Sequence, residues 1–120
     1  MSTRCQIGFY GAEEKDLSKH QALIYRHCDG YPDDAGGVIA TILPILQDFQ
    51  KNRGLSDIEY AAAWLVAKLK TDYLNIGISS GLHEDIEYFY AVYPDRIDIY
   101  DIPFDKDYAD FTKIKSVPIS

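Results

Sequence analysis

Between residues 3 and 10 apolar and polar positions alternate, with Cys5, Ile7 and Phe9 on one side and Arg4, Gln6 and Tyr10 on the other. A period of two predicts a half-buried strand. Residues 21 to 28 repeat the pattern, and the stretch between, Gly11 to Lys19 with Glu13, Glu14, Lys15 and Asp16, reads as a solvated loop. The two strands predict a β-hairpin. It ends at Asp29-Gly30-Tyr31-Pro32, where glycine tolerates positive φ and the proline ring biases Tyr31 away from helix.

The period then changes. From Asp33 or Asp34, both good caps, apolar residues at 35, 38, 39, 42, 45, 46 and 49 keep helical spacing up to Asn52-Arg53-Gly54. Pro44 lies inside this helix, deletes one hydrogen bond and crowds the carbonyl of Ala40, which predicts a kink or a break. A second helix opens on Ser56-Asp57-Ile58-Glu59, a capping-box pattern, with Leu55 placed to staple onto Tyr60. Its buried stripe is Ile58, Ala61, Ala62, Leu65, Val66 and Leu69, and Lys68 and Lys70 suit its negative end.

Alternation returns in Leu74, Ile76 and Ile78, a turn follows at Ser79-Ser80-Gly81, and Ile86, Tyr88, Tyr90 and Val92 form the inner set of another strand. Pro94-Asp95 turns the chain into a last strand through Ile97 and Ile99, closed by Pro103. The expectation is an α+β fold. A β-hairpin, two helices and a three-stranded meander would make one antiparallel sheet with both helices on one face. Residues 1–103 would form the domain, and 104–120 an extension, either a short helix near Tyr108 with an edge strand through Ile114 or a partly ordered tail.

Composition narrows the class. At 120 residues, 47% hydrophobic and 26% charged, with ten Tyr and five Phe, the chain has enough apolar matter for one core, which excludes general disorder. The first six residues hold one basic residue and no apolar run of signal type, and the longest uncharged stretch, Ala35 to Gln47, is too short for a bilayer span and contains Pro44. A cytoplasmic protein without a membrane segment is expected. Cys5 and Cys28 are too few for a disulfide scaffold, so free thiols are the default.

The formal net charge of −7 argues against binding nucleic acid by neutralising phosphates. It is also unevenly spread. Residues 84 to 110 carry nine acidic groups, Glu84, Asp85, Glu87, Asp95, Asp98, Asp101, Asp105, Asp107 and Asp110, against Arg96 and Lys106, which is the whole excess. A field of one sign over one edge suits a partner-binding or nucleic-acid-imitating surface, for which Glu87, Asp98, Tyr100, Asp101 and Tyr31 are the candidate contacts. The alternative is a solvated hairpin guarded against edge pairing.

The densest stretch of chemistry is Tyr25-Arg26-His27-Cys28-Asp29-Gly30-Tyr31-Pro32. A continued strand would project Tyr25, His27 and Asp29 to one side, so that His27 acts as a base or metal ligand, Asp29 orients it, and Arg26 or Tyr25 steadies an anion. The competing explanation is structural, a turn made by Asp29 and Gly30 with Tyr31 packed against it. His27-x-Asp29 and His83-x-Asp85 would give a divalent metal two nitrogens and two oxygens if they met across the sheet. The chain carries no phosphate-loop, nucleophile-elbow or zinc-protease pattern.

With Thr3-Arg4-Cys5-Gln6-Ile7, the residues Tyr25, His27, Asp29, Gly30 and Tyr31, followed by Gly37, resemble a family of small phage and prophage proteins with a Tyr-x-His-Trp-Asp-Gly-Tyr motif and no established activity. Cys28 stands where that family has Trp. The likeness covers roughly the first third of the chain, implies mobile-element ancestry, and assigns no reaction. The expectation is therefore an accessory protein that needs no cofactor and binds a protein partner through its acidic, tyrosine-rich surface. A small His-based or metal-assisted hydrolase of phosphodiesters or nucleotides is the alternative, and self-association stays open.

Overall fold

The computed structural model describes residues 3–33, 36–102 and 107–119. Asp34, Ala35 and Pro103, for which expectations were given above, lie outside them, as do Asp105 and Lys106. The elements are β1 (Cys5–Phe9), β2 (Ala22–Arg26), α1 (Val38–Asn52), α2 (Ile58–Leu69), β3 (Ile76–Ile78), β4 (Tyr88–Val92), β5 (Arg96–Asp101), a 3-10 turn at Tyr108–Asp110, and β6 (Thr112–Pro118). The fold is α+β. Six strands form one sheet in the order β3-β2-β1-β4-β5-β6.

The sheet is mixed rather than antiparallel throughout, because β1 pairs parallel with β4 at its centre. The expected meander is also rearranged. β3 pairs with β2 on the far side of the first hairpin, and the true meander is β4-β5-β6. The physical reason is direction. β3 is antiparallel to β2, which is antiparallel to β1, so β3 and β4 run the same way and no tight turn can join them. The connection from Ser79 to Glu87 has to return the length of the sheet.

It does so across the face the helices leave free. Leu82 and Ile86 of this crossover pack with Tyr10, Leu17, Leu23, Phe89, Ala91 and Tyr93 in a second, aromatic core. Gln6 fastens it: its side-chain amide donates to the Gly81 carbonyl at 3.0 Å and accepts from the His83 amide at 2.9 Å. The amide group is fully buried and satisfied on both sides, so it costs little and fixes the path of the loop. The first core lies under the helices, where Ile7, Phe9, Ile24, Tyr90, Val92, Ile97 and Ile99 meet Val38, Ile42, Leu46, Ile58 and Leu65.

Four local expectations change. Helix α1 starts at Val38 with Gly37 as its N-cap, after a turn in which the Val38 and Ile39 amides donate to the Tyr31 and Pro32 carbonyls. It runs through Pro44 without a break, since both Pro44 and Ala40 are exposed and water reaches the freed carbonyl. At α2 the N-cap is Asp57, with no side-chain cap; its carboxylate lies 3.9 Å from Arg53 instead. Leu55 is buried in the core, whereas Tyr60 stays exposed under the Arg53 guanidinium, so the staple does not form. Gly54, at φ 89°, closes α1 as its sequence signal implied.

Candidate functional site

The register aligns Tyr25, Gln6, Phe89 and Tyr100 in one row across four strands. Beyond that row the ladder continues at the sheet end through His27 to Asn75, Glu87 to Arg4, and Ile102 to Glu87. The crossover is laid over this corner. It brings Asp85 to the Tyr25 hydroxyl, which donates to the carboxylate at 2.8 Å, while Arg4 Nε stands 3.4 Å and His83 Nδ1 3.8 Å from the same group. The His83 ring stacks on Tyr25, centroids 4.3 Å apart.

Asp85 is thus the hub of a partly exposed cluster of Arg4, Tyr25 and His83. Partial burial, followed by the hydrogen bond and negative charge of Asp85, pushes the Tyr25 phenol up to about 12. Tyr25 is therefore held neutral as a hydrogen-bond donor at ordinary pH. Arg4, which sequence pattern marked only as an outward strand residue, is the cation of the cluster. Nothing local announces it, because Arg4 and Asp85 meet only through the crossover.

The expected quartet of Tyr25, Arg26, His27 and Asp29 does not converge. Strand geometry ends at Arg26, and Asp29 turns to a left-handed φ of 56°, which carries its exposed carboxylate away from the alternation. Arg26 points to the opposite face from Tyr25 and donates to the Cys28 carbonyl at 3.1 Å. His27 stays near Tyr25, ring centroids 6.3 Å apart, and lines an open hollow with Cys28, Asp72, Tyr73, Leu74 and Asn75. Tyr25 separates His27 from His83, and no group of three metal-ligating side chains forms among the described residues. The two His-x-Asp pairs do not meet as a metal site.

The acidic contacts divide as well. Glu87 and Asp101 are exposed at the same sheet end as the Asp85 cluster, Asp101 facing Tyr88 across the ladder. Tyr100 is half-buried against Phe111 and its phenol is pushed up to about 12, chiefly by burial. Asp98 is a correction: it is 2% exposed, accepts from Arg96 at 3.2 Å and from Ser116 at 2.7 Å, and has Lys113 at 3.6 Å. Its charge is spent on joining β5 to β6. Tyr31 sits in the turn before α1 on the helix side, and its carbonyl receives the Val38 amide, so it is no part of the acidic end.

Both cysteines are free, Cys5 fully buried with its thiol pushed up to about 12 by desolvation, Cys28 half-buried. Among the described residues no helix is long and apolar enough to cross a membrane. Compared with protein families, curated sequences and solved structures, the chain matches none of them.

Proposed function

We propose that this protein is a non-enzymatic binding protein whose acidic, tyrosine-bearing sheet end engages a basic segment of a protein partner. The observation that carries the reading is the shared position of exposed Glu87 and Asp101 with the neutral Tyr25 donor and the Asp85 cluster. Exposed carboxylates steer a cationic partner, and half-buried phenols offer amphipathic contact area at small entropy cost. The hydrolase reading has less support, since Asp29 turns out of the strand and does not stay beside His27 as that reading requires.

Titration with an arginine-rich peptide, followed by amide chemical shifts, tests it. Perturbations should centre on Arg4, Tyr25, Asp85, Glu87 and Asp101. Glu87→Gln with Asp101→Asn should weaken binding about tenfold, the scale of two exposed charges. Glu13→Gln with Glu59→Gln removes the same charge elsewhere and should change little; equal loss in both would reduce the effect to net charge and end the proposal.

A further inference from the structure

The Asp85 carboxylate is engaged on one side only. Its Oδ2 oxygen accepts the Tyr25 hydroxyl at 2.8 Å and has Arg4 Nε at 3.4 Å, whereas Oδ1 makes no hydrogen bond among the described residues and has His83 Nδ1 at 3.8 Å. That gap is too long for a hydrogen bond and within the range of an ion pair once the ring is charged. The imidazole is fixed in place yet open to water: its ring stacks on Tyr25 with 21° between planes, its backbone amide donates to the side chain of fully buried Gln6 at 2.9 Å, and its own side chain is 43% exposed. Its charged and titratable neighbours are Arg4 from β1, Tyr25 from β2 and Asp85 from the crossover, with Glu84 next to it in the chain and His27 on the far side of the Tyr25 ring.

On the reading of this end as the surface for a basic segment, we infer that His83 regulates the binding: neutral, it leaves Asp85 Oδ1 open to a cation of the partner, and protonated, it pairs with that oxygen itself. Two effects then act in one direction. The ring competes for the oxygen, and a positive charge stands where the partner's charge must come. The exchange needs no rearrangement of the backbone, because the crossover is held by the His83 amide and not by its ring. Protonation also turns the stack on Tyr25 into a cation–π contact, which keeps the charged ring in place. Histidine is the side chain that ordinarily changes charge between pH 5 and 8, whereas exposed carboxylates and arginine keep theirs, so within that window the acidic surface and an arginine-bearing partner stay as they are and the imidazole changes. By linkage a bound partner favours the neutral ring, and binding near pH 6 releases protons.

Calorimetric titration with an acetylated arginine-rich peptide at pH 7.5 and 5.5 tests the switch. Affinity of the parent chain should fall about threefold at the lower pH, the Coulomb effect of one charge roughly 6 Å away in water, and the difference should shrink as salt is added. His83→Gln, which stays neutral, should bind equally at the two pH values; His83→Lys, which stays charged, should bind equally at both and more weakly than His83→Gln. His27→Gln should keep the parent's pH dependence. Melting curves matching the parent's verify that the variants are folded. Equal binding by the parent at both pH values overturns the inference alone, as does a dependence that survives undiminished in His83→Gln, whereas no binding at either pH overturns the surface reading and the inference with it.

Discussion

The chain reversal after β2 is shared by two residues with different duties. Asp29 takes the left-handed backbone, while Gly30 accepts close approach: a Cβ there would lie 2.9 Å from backbone atoms of Thr3, Arg4 and Cys5. The Gly30 amide donates to the Thr3 carbonyl at 2.9 Å, and its carbonyl accepts the Tyr90 hydroxyl at 2.7 Å. Asp29→Gly should therefore leave stability unchanged or raise it by up to about 1 kcal/mol, and Gly30→Ala should cost more than about 1 kcal/mol, both read from denaturant midpoints. The reverse ranking would show that Gly30 is the turn residue. Sequence alone pointed to the opposite assignment, since glycine is the usual owner of positive φ and close backbone contact leaves no mark in a pattern. For the same reason Tyr25 and His27 were legible as neighbours, while Arg4, joined to Asp85 by a distant crossover, was not.

At the level of elements, hydrophobic period located both helices and the first hairpin, because each buries one stripe or face that its own residues define. Leu65 is fully buried between α2 and the sheet, so Leu65→Ala should cost about 2 to 5 kcal/mol in urea unfolding. Pro44 offers the opposite sign. Pro44→Ala restores an amide in the middle of α1 at an exposed position, and should stabilise by up to about 3 kcal/mol; a loss would mean that the proline ring packs against its neighbours. Strand partners were less legible than strands. Ile76, Ile78 and the set from Ile86 to Val92 alternate as a hairpin would, and Ser79-Ser80-Gly81 reads as its turn. What decides the pairing is the Gln6 amide on the crossover and the apolar Leu82 and Ile86 beneath it, long-range contacts that no local window contains. The last strand was faint because six of its seven residues, all but Val117, are exposed, on both faces, which removes the alternation.

For the molecule as a whole, the tyrosines couple stability to alkaline pH. Burial raises the phenols of Tyr10, Tyr90, Tyr93 and Tyr108, and pushes Tyr25 and Tyr100 up to about 12. A phenol ionises near 10 in the unfolded chain, so the folded state holds the proton more tightly. Below pH 10 both states are protonated and the stability is fully present; as pH rises from 10 towards 12 the unfolded state loses protons first, and stability falls. The urea midpoint should hold from pH 7 to 9 and drop steeply by pH 11. A flat profile to pH 11 would mean that these hydroxyls reach solvent.

The parallel pairing of β1 with β4 sets an order of events for a chain made from its N-terminus. β1 finds β2 through a short loop, and the helices that cover them follow at once, but its other neighbour is synthesised only after both helices and β3. Until Val92 leaves the ribosome, β1 is an apolar strand with one row of amides and carbonyls unmatched, and the aromatic core on the second face has no floor. The late piece, β4-β5-β6, is a local meander that can form by itself and arrive as a unit. The two halves then meet along the β1–β4 pair, the crossover held by Gln6 and the core under the helices, and until that meeting the central strand of the finished sheet serves as its exposed edge.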